Sequence, residues 1–535
     1  MGIRVALILG VLVWRSGIAG AVVPYTVDTT ADSGAGSLRQ AILDANGSGS
    51  EGLVRVQVTG TITLLTPLAP VTVPLTINGP GASMLTIQAM FPGAAGAAVL
   101  TATNSTSLRV SGVTITGGVN NSGNGGGIHV VGATLQVLDS VISGNAAMQG
   151  SGIYTEGPIL IRNSTISDNT GLGAIYFTAG GSINLSTIEN NHGTAIVFAL
   201  AAPPLVNPPS LSIDSSTVSG NDATSGVGGI GGLALQAGTA TITTSTWSGN
   251  TGTLGGDFWT ASDGVTLSLS SVTAMGGGAP ALLLDHTATV QLKNTLIAGS
   301  GTRCSAAPTT PSLGNNLSSD ATCGFTAVTD KSGVDPLLGP LAANGGATKT
   351  HLLLADSPAA NAGGATDATV DQRGYPRKEF DAVDIGAVEI TAPAISQQPV
   401  AQQLVAGEVL TLSVVAHNQN SATALSYQWR KDGAPIVGGT EATFTKLASQ
   451  VSDAGLYDVL VINNGGGLPS AAVQVTVDKA TGTDGGIGGS AGGDGGGCCS
   501  VAGGGGWSSG MLGLLVVGLL GYRRRSRAAN HRHAG

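Results

Sequence analysis

Charged residues make up only 10% of the 535 positions, so few side chains could do acid–base chemistry. The strongest combination is His192 with Asp222, which occupy the same position in two successive copies of a repeat, with Asp168 one copy earlier. A histidine beside a carboxylate can act as a general base. A solvated contact between two turns is the more common role of such a pair. We therefore treat His192, Asp222 and Asp168 as weak catalytic candidates.

Two reactions on polysaccharides need residue sets that the repeats do not provide. A lyase needs a cationic or metal clamp on the uronate and a basic residue, and an inverting hydrolase needs converging carboxylates. The basic residues Arg109, Arg162 and Lys293 fall in distant copies of the repeat. The carboxylates do not stack either, because each has a different repeat position: Asp139, Asp168 and Glu189. No spacing of His, Cys or Asp resembles a zinc site, and we expect no cofactor.

The repeat that carries these residues has the form Ser164-Thr-Ile-Ser-Asp-Asn169. Its third positions are separated by 27, 24, 22, 30, 29, 26 and 24 residues and are Ile115, Ile142, Ile166, Ile188, Val218, Trp247, Thr273 and Ile297. Short strands at this spacing leave no room for helical crossovers, so the chain must coil as a solenoid. We predict an all-β fold, with a right-handed parallel β-helix over 22–390 and coils about 4.8 Å apart.

Two sets of side chains recur within the repeat. The third position is predicted to point inward and to form an apolar stack that includes Ile166. Asparagines three positions later are predicted to stack as an amide ladder: Asn145, Asn169, Asn191, Asn221 and Asn250. We also expect the stacked Ser, Thr and Asn residues to give the rod a long hydrogen-bonding outer surface.

An amphipathic helix is predicted before the first coil. Ser37 and Gln40 have the spacing of a capping box, and Leu38, Ile42 and Ala45 lie on one helical face. Such a helix would cover the unpaired edge of the first coil, which otherwise invites aggregation.

Residues 1–21 have the order of a secretory signal peptide. Arg4 precedes an apolar run at Val5–Trp14, and a small-x-small site ends at Ala21, where we expect cleavage. A buried first strand is the alternative. Export to an oxidising compartment makes Cys304 and Cys323 disulfide candidates.

A Gly-rich linker at 478–497 precedes a C-terminal module at 498–527. The module consists of an apolar stretch, Met511–Leu520, between two sets of anchor residues: Cys498, Cys499, Arg523, Arg524 and Arg525. This order resembles the myxobacterial C-terminal sorting signal. The resemblance implies a tail that enters the inner membrane transiently as a transmembrane helix. It also implies an envelope sorting protease that cuts near the cysteines, and anchoring at the cell surface. A plain tail anchor is the alternative, and in either case the Arg cluster would be cytoplasmic.

Several separated motifs between about residues 25 and 390 resemble the choice-of-anchor Q proteins. They are Thr30–Ile42, Asn344–Leu352, Asp356–Gly363, Asp371–Arg377 and Asp384–Glu389. The resemblance implies a secreted β-helix carried by a surface-anchoring tail, and it implies no established reaction.

Residues 393–477 resemble an immunoglobulin-like β-sandwich. The motifs that carry this resemblance are Leu410–Val414, Tyr427–Gly433 and Asp453–Val459. Trp429 would be the core tryptophan and Tyr457 the tyrosine corner. Val414 and Val459 occupy the positions where that family often has its disulfide.

The overall charge also limits the function. The net charge is −9, and no long Lys/Arg stripe occurs before the last dozen residues, so we expect no nucleic-acid partner. We predict an exported, surface-anchored, non-catalytic β-helix protein that is adhesive or binds a polysaccharide or another surface ligand. The alternative is a surface-anchored polysaccharide-active enzyme, a lyase or a glycoside hydrolase.

Overall fold

The computed structural model of the protein describes residues 22–480 with gaps. The gaps are 92–95, 104–106, 200–208, 225–228, 278–279, 286, 309, 355, 378–381, 391–392, 419–423 and 464–465. The predicted signal peptide, most of the predicted linker and the whole anchor module lie outside the described residues. In the part of the chain that is described, no helix is long and apolar enough to cross a membrane.

The repeats form a parallel β-solenoid of about nine turns, which confirms the predicted solenoid architecture. Three long parallel sheets, called here the first, second and third sheets, form its sides. The first sheet consists of Val23–Val27, Gly52–Val56, Leu75–Asn78, Ser107–Ser111, Thr134–Leu138, Ile159–Arg162, Gly181–Asn184, Ser210–Asp214, Thr239–Thr243, Thr266–Ser270 and Thr289–Lys293.

The second sheet follows the first within each coil. Its strands are Gly60–Leu64, Leu85–Ala89, Thr114–Thr116, Val141–Ser143, Thr165–Ser167, Thr187–Glu189, Thr217–Ser219, Thr246–Ser248, Thr273–Gly276, Leu296–Gly299, Leu317–Ser318 and Lys331–Ser332. The third sheet consists of Leu100–Ala102, Ile128–Val130, Ile153–Thr155, Ile175–Phe177, Ile196–Phe198, Leu233–Leu235, Phe258–Thr260 and Leu282–Leu284.

Short strands between the second and third sheets add a fourth side to the middle coils. They form one small sheet of Val119–Asn124, Ala146–Gln149 and Thr170–Leu172, and another of Asp222–Ala223 and Thr251–Gly252. Four of these five strands begin directly after a ladder asparagine, and the exception is Val119–Asn124.

The inward stack has the register that the repeat predicts. Ile166 pairs with Ile142 in one neighbouring strand and with Ile188 in the other, and all three side chains are fully buried. The stack continues through Val218 and Trp247. Burial of such a side chain contributes roughly 1.5–3 kcal/mol, so the stack is a large part of the core.

The predicted asparagine ladder is confirmed. The Nδ2 atom of each asparagine donates to the Oδ1 atom of the next, at 3.0, 3.0, 2.8 and 2.8 Å from Asn145 to Asn250. Each of these Oδ1 atoms also accepts from the backbone N–H of the preceding asparagine. The ladder is buried, so its amides are consumed inside the wall.

The first residue of the repeat forms a second ladder that was not predicted. The backbone N–H of Ser140 donates to the hydroxyl of Ser164, and the bond recurs from Ser164 to Ser186 and from Ser186 to Ser216. These serines are also buried. The expectation of a hydrogen-bonding outer surface of stacked Ser and Asn is therefore wrong at the ladder positions, because their polar groups bond to adjacent coils.

The predicted helix spans Leu38–Ser48 and packs on the first coil. The hydroxyl of Ser37 accepts from the backbone N–H of Gln40, at 3.2 Å. The side chain of Gln40 donates to Asp44 rather than back to the cap, so the capping box is only half formed. The buried face contains Leu38, Ala41, Ile42 and Ala45.

The described residues between 333 and 390 cross the outer face of the second sheet and have few strand pairings of their own. Beyond them, ten strands form mostly antiparallel sheets: Ala394–Gln397, Gln402–Val405, Leu410–Ser413, Val415–His417, Ser426–Lys431, Ala434–Pro435, Thr443–Lys446, Gly455–Asn463, Gly466–Pro469 and Val473–Asp478. A 3-10 turn spans Val451–Asp453. Trp429 is fully buried in this region, and the hydroxyl of Tyr457 donates to the carbonyl of Asp453, at 2.8 Å.

Candidate functional site

The three catalytic candidates do not form one acid–base centre. His192 and Asp222 lie in adjacent coils on the fourth side, where His192 pairs with Thr170 and Asp222 with Thr251. The described contacts include no hydrogen bond or ion pair between their side chains. Asp168 lies two residues before Thr170, at an exposed turn with a φ of 56°. Asp168 therefore does not stack with His192 and Asp222 in the same row of successive coils.

Asp222 has the surroundings of a turn residue. Its Oδ1 atom accepts from the backbone N–H of Thr224, at 2.9 Å, and from the hydroxyl of Thr251, at 3.2 Å. The bonds from Thr224 lower the pKa of Asp222, and the nearby His192 lowers it further. A carboxylate with a lowered pKa is a weaker proton acceptor, so this environment suits a structural contact better than a general base.

The other carboxylates have structural partners. Asp139 accepts from the side-chain amide of Asn163, at 2.7 Å. Glu189 forms an ion pair with Lys349, at 2.8 Å. Among the described residues, no group of three or more His, Cys, Asp and Glu side chains could hold a metal ion. These carboxylates therefore do not converge as a hydrolase would require.

The structure corrects the prediction that the repeat arginines are too distant to act together. Arg109 and Arg162 line one open groove, of about 670 Å³, on the outer face of the first sheet. Their strands are separated by one strand, Thr134–Leu138. Lys293 lies at the far end of the sheet and does not line this groove.

The groove combines cationic and apolar groups. Arg109 and Arg162 are exposed, and their side chains make no hydrogen bond or ion pair with the rest of the described chain. Leu138 and Leu160 are partly exposed beside them, and Asp139 lies at the rim, bonded to Asn163. A guanidinium free of protein partners can bind a carboxylate or sulfate through two parallel hydrogen bonds.

The third sheet carries a column of outward rings that was not predicted. His129, Tyr154 and Tyr176 are in register in successive strands, with ring centroids 5.3 and 5.5 Å apart. The hydroxyl of Tyr154 donates to Glu156, at 3.2 Å, and burial raises the pKa of Tyr154 to about 12. The two tyrosine rings are stacked, and His129 meets the ring of Tyr154 edge-on.

The family motifs between 344 and 389 hold the overlying segment on the second sheet. The Nε2 atom of Gln372 donates to Thr217, at 3.0 Å, and its Oε1 atom accepts from Thr246, at 2.6 Å. The Nδ1 atom of His351 donates to the carbonyl of Gly339, which leaves Nε2 to accept from Ser248. No pattern in the sequence predicts the contacts with the second sheet, because those partners lie more than 100 residues apart.

A buried ionic cluster lies within the same segment. Arg373 pairs with Asp371 at 2.6 Å, and Arg377 donates to the carbonyls of Asp384 and Gly386. Burial raises the pKa of Glu389 to about 9, and burial also raises the pKa of Asp384. These groups are nearly inaccessible to solvent and bond to one another within the segment, so they do not offer a ligand site.

Cys304 and Cys323 form a disulfide, with their Cα atoms 4.9 Å apart. Near this end of the solenoid, the asparagine ladder terminates at Asp257, which accepts from Asn250 at 2.9 Å. Burial raises the pKa of Asp257 to about 7. The remaining predicted site residues lie outside the described residues: Ala21, Cys498, Cys499, Arg523, Arg524 and Arg525.

No known family model matches the chain. A decoration protein of Escherichia phage T5 is 41% identical over 58 residues, which are 11% of this chain and 34% of that protein. The chain thus matches about a third of that relative's length.

Solved structures with local similarity include tandem Ig repeats of Dlar, at 18% identity over 16% of this chain and 49% of that chain. Sidekick-1 immunoglobulin domains 1–5 match at 22% identity over 17% of this chain and 19% of that chain. Both have a TM-score of 0.15, which supports no structural argument. The fold and groove therefore define the chain as a parallel β-solenoid protein with an open groove on one outer face.

Proposed function

We propose that this protein is an exported, non-catalytic surface protein whose solenoid binds a polysaccharide or another surface ligand. The observation that carries the proposal is the open groove on the first sheet, where the exposed side chains of Arg109 and Arg162 have no described protein partner. A groove that combines apolar area with a few polar groups suits ligand recognition.

The separation of the acid–base candidates supports a binding role. His192 and Asp222 are not hydrogen-bonded to each other, and Asp168 belongs to another column. An enzyme of the polysaccharide-active class would need a proton donor and acceptor on the two sides of the scissile bond.

Display at the surface rests on the sequence of both ends. The signal-like residues 1–21 would direct export, and the 498–527 module would anchor the chain after an envelope protease acts near Cys498 and Cys499. The resemblance of 393–477 to an immunoglobulin-like sandwich supports a spacer role. The antiparallel strands, the buried Trp429 and the Tyr457 hydroxyl contact agree with that resemblance. The finer family assignment, a right-handed choice-of-anchor Q β-helix, is part of the same proposal.

The proposed binding function is tested with the purified full-length chain. A glycan array containing pectins, alginates and host-type glycans should show binding, and a reducing-sugar assay on the same polymers should show no turnover. His192→Ala and Asp222→Ala serve as matched variants and should change neither result. Turnover that disappears in either variant would establish the enzyme instead, and absence of binding to every glycan would contradict the binding role.

Surface anchoring has its own test. Intact-mass analysis of the protein isolated from the cell envelope should show that both residues 1–21 and the cluster Arg523–Arg525 have been removed. A mature protein that retains the basic tail would favour a simple tail anchor.

A further inference from the structure

Three arginines occupy alternate strands on the outer face of the first sheet. Arg55 lies in the second strand of that sheet, Arg109 in the fourth and Arg162 in the sixth. The register connects Arg55 to Arg162 in one column through three residues: Asn78, Ser111 and Leu138. Arg109 lies in the neighbouring column, in register with Thr76 and Gln136.

The side chains of the three arginines do not bond to the rest of the described protein. All are exposed, and their side chains make no hydrogen bond or ion pair within the described part of the chain. Buried arginines elsewhere behave differently, since Arg373 and Arg377 are bonded within the overlying segment.

Few acidic groups neutralise this face. Among the strand residues of the first sheet, the one carboxylate is Asp214, two strands beyond Arg162. It accepts from the hydroxyl of Thr244, at 2.7 Å. Asp139 lies in a turn at the rim of the groove and accepts from Asn163. The charged side chains within the first six strands of this sheet are therefore all arginines: Arg55, Arg109 and Arg162.

The spacing of the arginines fits an extended ligand. Neighbouring strands lie about 4.8 Å apart, so alternate strands place the arginines about 10 Å apart along the solenoid axis. The column of Arg109 is displaced from that of Arg55 and Arg162 by two residues, or about 7 Å. A single small anion could not contact all three positions, whereas a linear chain along the axis could.

We propose that this face, defined by Arg55, Arg109 and Arg162, binds an anionic polysaccharide that lies along the solenoid axis. The inference rests on the proposed function and specifies its ligand class. Carboxylate or sulfate groups of the polysaccharide bind the guanidinium groups, and its sugar rings contact the partly exposed Leu138 and Leu160. Nucleic acid fits less well, because the described lining of the groove contains no aromatic side chain on which bases could stack.

The test measures equilibrium binding of the full-length chain to polygalacturonate, to a neutral dextran and to single-stranded DNA. Arg109→Gln and Arg162→Gln should each weaken polygalacturonate binding about tenfold, the scale of one charge-assisted hydrogen bond. Lys293→Gln is the matched control, because it removes one charge from the same sheet at its far end. Binding should also weaken as ionic strength rises. Unfolding curves of the variants should match the parent, since exposed substitutions seldom change stability by more than about 0.5 kcal/mol.

The outcomes separate this inference from the proposed function. Glycan binding that both arginine variants leave unchanged, or equal binding of dextran, would overturn the anionic ligand while the binding function stood. Tighter binding of DNA than of polygalacturonate would also overturn it. If the protein bound no glycan, both the anionic ligand and the proposed polysaccharide-binding function would be overturned.

Discussion

The outer faces of the first and second sheets differ in what their polar residues contact. On the second sheet, Gln372 and His351 of the overlying segment bond to Thr217, Thr246 and Ser248, and this part of the face is buried. On the first sheet, Arg109 and Arg162 are exposed and unbonded to described residues. One face therefore uses polar groups for stability, and the other leaves them available for a ligand.

The comparison also explains why charge alone does not identify a site. The segment over the second sheet contains more charged residues than the groove, but Arg373, Arg377 and Asp384 are buried and bond to groups within the segment. Buried charges need partners because desolvation costs several kcal/mol for each ion. Exposed charges have no such requirement, so an unpaired one on a rigid strand is free to recognise a ligand.

The largest effect is expected in the core that both faces share. Ile166→Asp buries a charge without a partner in the inward stack, at a cost of several kcal/mol, comparable with the stability of a whole domain. The variant should be insoluble or should melt far below the parent. Thr165→Asp, one residue away and half-buried, is the control for register. An unchanged melting temperature for Ile166→Asp would show that the assigned register is wrong.

The next effect distinguishes the two faces directly. Asp371→Ala leaves the Arg373 guanidinium buried without its carboxylate, which should cost about 3–5 kcal/mol of unfolding free energy. Arg109→Ala on the first sheet should cost less than about 0.5 kcal/mol. Urea unfolding of both variants measures the difference. Equal losses would mean that Arg109 also has a structural role.

A smaller effect is expected from pH. Glu389, with a pKa raised to about 9, stays protonated in the fold over a range in which the unfolded chain has released that proton. The folded state thus binds more protons above the ordinary pKa of 4.5, so the free energy of unfolding falls as pH rises toward 9. Asp257, with a pKa of about 7, acts in the same direction up to that pH. The slope should be on the order of 1 kcal/mol per pH unit for each group.

The pH effect is best measured between pH 6.5 and 9. Below that window, the lowered pKa of the buried His351 acts in the opposite direction, since the unfolded chain then binds the extra proton. Glu389→Gln should flatten the decline in melting temperature, because glutamine cannot ionise. A decline of the same slope in Glu389→Gln would show that another group is responsible.

The solenoid could be predicted because the repeat itself encodes it. Ile166 and Asn169 each have a counterpart one coil away in the sequence, so register and burial follow from local spacing. The contacts of Gln372 could not be predicted in this way, because its partner Thr217 is 155 residues earlier and belongs to no shared pattern.

The candidate site was only partly accessible from the sequence. The repeat places Arg109 and Arg162 in different coils, but their distance along the sequence overstates their separation in space. Because coils stack about 4.8 Å apart, residues 53 positions apart can line one groove. The sequence does not place Arg55 on this face either, because the first coils of the solenoid lack the repeat motif that sets the register.

Arginine-specific chemical modification of the full-length chain, read by mass spectrometry with and without polygalacturonate, tests the contrast between the two faces most directly. Arg55, Arg109 and Arg162 should react rapidly in the free protein and be protected by the polymer, while Arg373 and Arg377 should be unreactive in both states. Reaction of Arg373 and Arg377 in the folded protein, or no protection of the first-sheet arginines by the polymer, would contradict the account.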